Sequence, residues 1–357
     1  IRDFTQSDKN HVEYVKKSSK LNLCEEEDVL IGRYGASIGK ILTGLSGAYN
    51  VAIIKTIPDK KVLNKKFLYY LLKHTSFQNY ISCISSRAAQ AGFNKNDLSR
   101  FKIPLLPLEE QIQIATVLSK AENLIAKRKQ SIELLDEFVK STFLQMFGDP
   151  VRNEKGWENL TIGDLIIEAK YGTSKSAEGG KYKYIRMNNI TTDGYWDFTN
   201  IKYIDVGEIE KEKYVLRKND LVFNRTNSKE LVGKTAVYSC DEEVIIAGYL
   251  IRIRTNNFAN PWYIWGYLNS KIGKLRLFNL CRNIVGMANI NAQELQNIPI
   301  LKPPLPLQNQ FAEIVNKVEV LKEKYQKSLE ELENLYGSLS QKFLNHDSEP
   351  GFTGLED

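Results

Sequence analysis

Arginine, asparagine, glutamine and lysine recur in short polar runs of this chain. Arg186-Met187-Asn188-Asn189, Arg225-Thr226-Asn227-Ser228-Lys229 and Arg282-Asn283 leading to Met287-Ala288-Asn289 are three such runs, each in a loop-like context. An earlier stretch offers Arg33-Tyr34, Arg87 with Gln90, and Asn94-Lys95. Arginine reads guanine, and asparagine or glutamine reads adenine, through paired hydrogen bonds in the major groove, while lysine mostly holds phosphate. The chemistry these types supply is recognition of a nucleic acid. Ordinary surface or turn duty is the alternative for any single residue. Recurrence at matched positions, Arg33 with Arg225 and Lys40 with Lys234, favours a contact role for those pairs, although a shared scaffold role would recur in the same way.

Catalytic patterns are missing by comparison. Gly233-Lys234-Thr235 resembles the end of a phosphate-binding loop, but Ser228 stands where the pattern needs glycine, and Tyr34 fails Gly39-Lys40 likewise, so both read as turns. His11, His74 and His346 are isolated, without metal-ligand spacing. There is no Gly-x-Ser-x-Gly elbow, no glycine-rich adenosyl-cofactor loop and no Asn-Pro-Pro-aromatic tetrapeptide of the base-flipping methyltransferases; Lys302-Pro303-Pro304-Leu305 is the nearest, in a hinge. A non-catalytic chain with no metal of its own is expected.

The elements that must position these runs are legible in charge and repetition. The chain has 357 residues, 42% hydrophobic and 26% charged, which suits two domains and excludes wholesale disorder. No stretch approaches a membrane span. The opening Ile1-Arg2-Asp3-Phe4 carries no signal-like leader, and Cys24, Cys83, Cys240 and Cys281 form no CxxC pair, so a reduced, cytoplasmic chain is expected. The formal net charge of +6 divides into +8 over residues 1–103, −2 over 104–150, +5 over 151–302 and −5 over 303–357. Two basic blocks alternate with two acidic ones, a layout for two polyanion-facing surfaces separated by segments with another task.

The chain also repeats itself. Ile103-Pro104-Leu105-Leu106-Pro107-Leu108-Glu109-Glu110-Gln111 returns in Ile300 to Gln310, and Asp28-Val29-Leu30-Ile31-Gly32-Arg33 in Asp220 to Arg225. Ile38-Gly39-Lys40 matches Val232-Gly233-Lys234, and Phe93-Asn94 with Leu98 matches Ile290-Asn291 with Leu295, all collinear. Ile1-Arg2 aligns with Ile185-Arg186, so the first repeat lacks a counterpart of Gly156 to Tyr184; either the sequence is a piece of a longer one or that part is supplied elsewhere. After each hinge, a heptad seam runs over ten positions: Ile114, Leu118, Ala121, Ile125, Arg128, Ile132, Leu135, Val139, Thr142, Met146, and again Phe311, Val315, Val318, Lys322, Tyr325, Leu329, Leu332, Tyr336, Leu339, Phe343. Each is a helix of roughly 50–55 Å, and two similar seams can satisfy each other as a pair. The blocks before them read as mixed α/β. Short strands are expected at Val51 to Ile54, Tyr182 to Arg186 and Val244 to Ile253, and one amphipathic helix in each block, near Phe67 to Ile84 and near Trp262 to Cys281, the second opened by Asn260-Pro261.

On these residues the chain resembles the DNA-specificity subunit of type I restriction–modification systems. The likeness is carried by Gly156-Trp157-Glu158 through Gly163-Asp164-Leu165, Ile185-Arg186 with Asn189-Ile190, Asp220-Leu221-Val222 with Arg225, Asn291 to Ile300, and the Pro-Leu-Glu-Glu-Gln-type helix starts. The resemblance implies two α/β target-recognition domains, at 1–103 (incomplete at its front) and 151–302. They alternate with helical spacer regions at 104–150 and 303–347 that pair as an antiparallel coiled coil, before a tail at 348–357. Each domain would read one half of a bipartite duplex target, and the helices would also dock two methyltransferase subunits, joined by motor–nuclease subunits. S-adenosylmethionine, ATP and magnesium would belong to those partners. Arg33, Tyr34, Lys40, Arg87, Gln90, Asn94, Arg186, Asn188, Asn189, Arg225, Asn227, Lys229, Lys234, Arg282 and Asn289 are the expected DNA contacts. Rival readings are an RNA-binding scaffold, which would favour stacking aromatics, and a coiled-coil adaptor, which would leave the two basic blocks unexplained.

Overall fold

The two halves of the sequence share a set of backbone and side-chain bonds. A computed structural model describes residues 14–16, 18–85, 92–284 and 287–345, the backbone alone at 282–284. It divides into two units, residues 1–130 with 326–357 and residues 131–325. In the first unit β1 (Asn22–Cys24) pairs with β4 (Gly47–Tyr49), and β2 (Leu30–Gly32) lies between β3 (Ile41–Leu42) and β5 (Ile53–Lys55), all antiparallel. Helices α1 (Lys65–Lys73), α2 (Thr75–Ser85) and α3 (Lys95–Ser99) follow, and α4 (Leu108–Phe147) begins here.

The second unit adds β6 (Glu158–Thr161), β7 (Ile166–Tyr171), β8 (Tyr182–Ile185), β9 (Lys202–Ile204), α5 (Glu208–Tyr214) and β10 (Val215–Leu216). Next come β11 (Leu221–Asn224), β12 (Thr226–Asn227), β13 (Thr235–Val237), β14 (Val244–Ile246) and β15 (Leu250–Thr255). Helices α6 (Pro261–Asn269) and α7 (Lys271–Leu280), strands β16 (Arg282–Ile284) and β17 (Met287–Asn289), α8 (Ala292–Gln296) and β18 (Pro299–Lys302) lead into α9 (Leu305–Leu344). One sheet, β13-β11-β15-β7, is antiparallel throughout; another, β10-β14-β8-β9, contains the parallel pair β14–β8.

The β2–β3 hairpin of the first unit is rebuilt as β11–β13 in the second. Gly39 N–H donates to the Gly32 carbonyl at 2.9 Å, and Gly233 N–H to that of Asn224 at 2.8 Å. Both glycines have positive φ, +74° and +82°, which side chains disfavour. The glycine–lysine pairs that resembled phosphate loops are thus hairpin turns. Asp28 and Asp220 accept from the backbone of Glu25 and Arg217, at 3.0 and 2.9 Å, and each holds a cation, Lys65 at 2.7 Å and Arg254 at 2.8 Å. The Lys65 bond is the main force holding the Asp28 carboxyl down at about 2. Gln111 and Gln308, both fully buried, make the same three bonds. Each carboxamide oxygen accepts from the N-cap residue of a domain helix (Asn64 at 2.9 Å, Asn260 at 2.8 Å), and each amide donates to two loop carbonyls. The repeated hinge motif therefore exists to tie helix to domain.

Where one helix per block was expected, there are two. The chain breaks at His74 and at Ser270, both extended in backbone, and Ser270 Oγ accepts from Gly273 N–H at 3.0 Å as a new cap. Amphipathic periodicity survives a one-residue break, so it could not reveal one. Asn260 caps α6 with Pro261 at its first position, as expected. In the second unit the segment without a first-repeat counterpart supplies β7, on the edge of β15, and β6, which pairs with β18. Among the described strands of the first unit, β5 pairs with β2 alone.

All twenty expected seam positions are buried or half-buried. In the first unit Leu118 is fully buried in a cluster with Leu344, Tyr336 and Phe343, and Lys129 meets Glu333 at 2.8 Å. In the second, Phe147 and Phe143 face Phe311 at 5.5 and 5.4 Å between ring centres, and Asp136 meets Lys322 at 2.7 Å. Within each unit numbers rise along α4 as they fall along α9, so the pairing is antiparallel. Two α/β recognition domains with two long paired helices is the architecture expected from the sequence.

Beside Lys322, burial pushes the Glu319 carboxyl up to about 7, against the pull of the Lys322 ammonium and helped by Asp136. The folded chain then holds a proton that the unfolded chain, near 4.5, has released. This acid's contribution is full below pH 4.5 and is lost as pH rises through 7. Glu319→Gln is expected to flatten the decline in unfolding free energy between pH 5 and pH 8, measured by denaturant titration; an unchanged slope would contradict it.

Candidate nucleic-acid interface

The segment Tyr171-Gly172-Thr173-Ser174-Lys175-Ser176 leaves β7 and crosses the β14–β15 turn so closely that a Cβ on Gly172 would lie 2.3 Å from the Ala247 carbonyl oxygen. That approach closes one wall of a cleft of about 580 Å³. Lys175, Arg186, Lys202 and Arg225 line it, with Asn188, Tyr249 and the Thr173, Ser174 and Ser176 hydroxyls, and no acidic residue among them. From outside the lining, Glu210 pairs with Lys175 at 2.6 Å.

Arg225 follows β11. Its backbone is pinned by Tyr249 and Ile290, and its guanidinium lies 4.7 Å over the Tyr171 ring. Arg33 holds the equivalent place after β2 and stacks 4.4 Å over its own neighbour Tyr34, to whose hydroxyl it donates at 2.5 Å. Tyr171 ends β7, whereas the ring beside Arg33 is that of its sequence neighbour Tyr34. Arg186 donates to the Asn200 carbonyl at 3.0 Å. Arg33, Arg186 and Arg225 each keep an Nε–H buried with no acceptor in the chain. A buried, unanswered donor costs about 1–3 kcal/mol, and three such donors fall here in matched or adjacent places.

The other expected contacts divide by burial. Lys40 and Asn188 are exposed, and Tyr34 is 42% exposed. Asn227 and Lys229 are half-buried, Lys229 over the Phe278 ring at 4.3 Å. Asn289 pairs with Thr226 across β17–β12 and keeps its carboxamide oxygen without a donor. Asn94 is exposed but its carbonyl accepts from Asn96 and Asp97 to cap α3, and Asn291 caps α8 in the same way. Their recurrence thus has a scaffold cause. Arg87, Gln90, His11, His346 and the side chain of Arg282 lie outside the described residues, as does the 348–357 tail.

Two expected contacts are corrected. Lys234 is only 8% exposed, and its ammonium donates to the Met187 carbonyl at 2.7 Å and the Ile190 carbonyl at 2.5 Å. Burial lowers its pKa. Asn189 is 1% exposed and donates to the Asp197 and Asn200 carbonyls while accepting from Arg186 N–H. Both spend their polar atoms on the loop that carries Arg186, whereas Lys40, the sequence counterpart of Lys234, is on the surface. Lys234→Met leaves two carbonyls unanswered and is expected to cost about 1–3 kcal/mol of stability with DNA affinity of the folded protein unchanged, read by denaturation alongside a binding titration. Lys175, Lys202 and Tyr249 were missed. A Gly-Thr-Ser-Lys-Ser run was the available signal for the first.

Cations, amides and aromatic hydroxyls around an acid-free cleft fit a polyanion with readable edges. The family model for the type I restriction modification DNA specificity domain fits residues 2–134 and again residues 154–334. The chain belongs to this family. Among type I specificity proteins, the specificity subunit of the Escherichia coli K12 enzyme EcoKI is 25% identical over 331 residues, 86% of this chain and 69% of that one. The specificity subunit of MjaVIII from Methanocaldococcus jannaschii is 25% identical over 342 residues, 90% and 79% of the two chains. The crystal structure of the type I S subunit from M. genitalium superposes with a TM-score of 0.58 at 18% identity, over 94% of this chain and 87% of that one, which establishes the shared fold. This type I chain is a DNA specificity subunit, non-catalytic, with two recognition domains for a bipartite target. No helix of its described residues is long and apolar enough to cross a membrane.

Proposed function

We propose that the second recognition domain, residues 151–302, reads one half of the target through the acid-free cleft, and that the first, residues 1–103, reads the other through the surface around Arg33. The observation that carries this reading is the pair Arg33 and Arg225, equivalent in the repeat, each stacked on a tyrosine and each with an unanswered Nε–H. Arg186, Asn188, Arg225, Asn227, Lys229 and Asn289 are the contacts assigned to the second domain, with Lys175 and Lys202 as phosphate anchors; Arg33, Tyr34 and Lys40 serve the first. Residues 104–150 and 303–347 form the spacer and the docking site for two methyltransferase subunits, to which motor–nuclease subunits add, in the cytoplasm. Val117, Leu124 and Phe138, 39%, 53% and 50% exposed at heptad spacing along α4, support a docking role. The test is titration of the chain, assembled with its methyltransferase subunits, against duplex DNA and an RNA hairpin of equal charge over about 50–200 mM salt. Duplex preference with a steep salt slope is expected, and equal or better RNA binding would overturn the reading.

A further inference from the structure

The α9 seam has one charged position, unusual for a coiled coil. Lys322 sits in line with Val315, Val318 and Tyr325, and its side chain is only 9% exposed. Its ammonium lies 2.7 Å from Asp136 of α4 and 3.7 Å from Glu319 of its own helix. It also sits 3.6 Å over the ring of Tyr195, which belongs to the recognition domain. Two further contacts hold the same loop: Lys140 of α4 meets Asp193 at 2.9 Å, and Trp265 Nε1–H donates to the Gly194 carbonyl at 2.8 Å. Both helices and the domain therefore meet at one buried charged cluster.

The repeat says what such a cluster is for. At the offset that relates Gln111 to Gln308, Glu319 corresponds to Glu122. Glu122 meets its own recognition domain, 2.6 Å from Lys73 and 3.0 Å from the Tyr70 hydroxyl. In the second repeat Asn269, the last residue of α6 as Lys73 is of α1, stands where Lys73 does, so that position offers no cation, and the cation comes from the helix as Lys322. The joint is kept while its partners are exchanged. Its chemistry is not that of a stabiliser, because a buried ion pair is commonly replaceable by apolar residues at no loss or with a gain of stability. What charged and hydrogen-bonded groups add is a unique geometry.

We propose that Asp136, Lys322 and Tyr195 are positioning residues, a joint that fixes how the second recognition domain is held on the helix pair and thereby which gap between half-sites the subunit accepts. The gap consequence rests on the bipartite-target reading above; the joint does not. One added base pair shifts a half-site by about 3.4 Å and turns it by roughly a tenth of a helical turn, so a joint free to move by that much would accept it.

The test is the variant carrying Asp136→Leu and Lys322→Leu, with Lys322→Arg as the charge-keeping control. Hydrogen exchange of the free chain reads the joint alone: amides of residues 191–197 are expected to exchange at least tenfold faster in the double variant, with β11 unaltered and melting unchanged or higher. Selection of bound duplexes with the methyltransferase subunits present reads the gap. Wild type and Lys322→Arg are expected to disfavour gaps one base pair too long or short by about tenfold, and the double variant by less than threefold, with both half-site sequences kept. Unchanged exchange would overturn the joint, and so would failure of the double variant to fold, which would make the cluster an ordinary stabiliser. Faster exchange with an unrelaxed gap would overturn its role in spacing. If wild type itself selects no gapped target, the bipartite reading fails while exchange still decides the joint.

Discussion

Replacing Arg225 with alanine is expected to cost the subunit about 1–3 kcal/mol of binding to its target duplex, roughly 5- to 150-fold in affinity. The side chain is half-buried in the cleft wall, pre-placed by the Tyr171 ring beneath it and by backbone bonds on both sides, so little ordering is needed when a base edge or phosphate arrives. The loss is also expected to be confined to one half of the target. Substituted bases in the other half should be rejected as strongly as before, and Arg33→Ala should show the converse. Fluorescence anisotropy with duplexes mutated in one half at a time measures both. A uniform loss across halves would assign Arg225 to phosphate contact only, and no loss would remove it from the interface.

The largest stability effect is expected at Phe311. Its ring is fully buried, edge-on to Phe143 at 5.4 Å and to Phe147 at 5.5 Å, and Gly266 of α6 leaves room for it: a Cβ there would be 3.0 Å from the Phe311 ring and 2.6 Å from that of Phe143. This is where the start of α9, the end of α4 and the recognition domain share one core. Phe311→Ala is expected to cost about 3–5 kcal/mol, lowering the melting temperature by roughly 6–20 °C for a unit of this size. Phe311→Leu should cost less than half of that. Calorimetry checks the pair; equal small losses would mean that the cluster is looser than its geometry.

The architecture was legible because it rests on periodicities the sequence states twice. A heptad seam and a repeated hinge survive without knowledge of any contact, and the prolines and the Asn260 cap mark where the second helix group starts. The breaks at His74 and Ser270 were not legible, since a single extended residue leaves the apolar stripe in phase. The site was legible only in part. Arg186, Asn188 and Arg225 come together in one cleft, but residue type cannot say which lysine faces water. Lys40 and Lys234 occupy matched places in matched hairpins; in the second repeat a loop carrying Met187 and Ile190 covers the lysine and takes two of its protons for its own carbonyls. Asn94 and Asn291 recur because short helices need caps. Repetition alone marks what the fold requires, and burial then separates scaffold from contact.

The central claim is that each domain reads its own half of the target, and exchange of one domain tests it most directly. Residues 151–302 would be replaced by the corresponding segment of the MjaVIII specificity subunit, and bound duplexes selected from a random pool with the methyltransferase subunits present. One half of the selected sequence is expected to change while the other half and the gap stay as they were. An unchanged target, or a change in both halves, would contradict it.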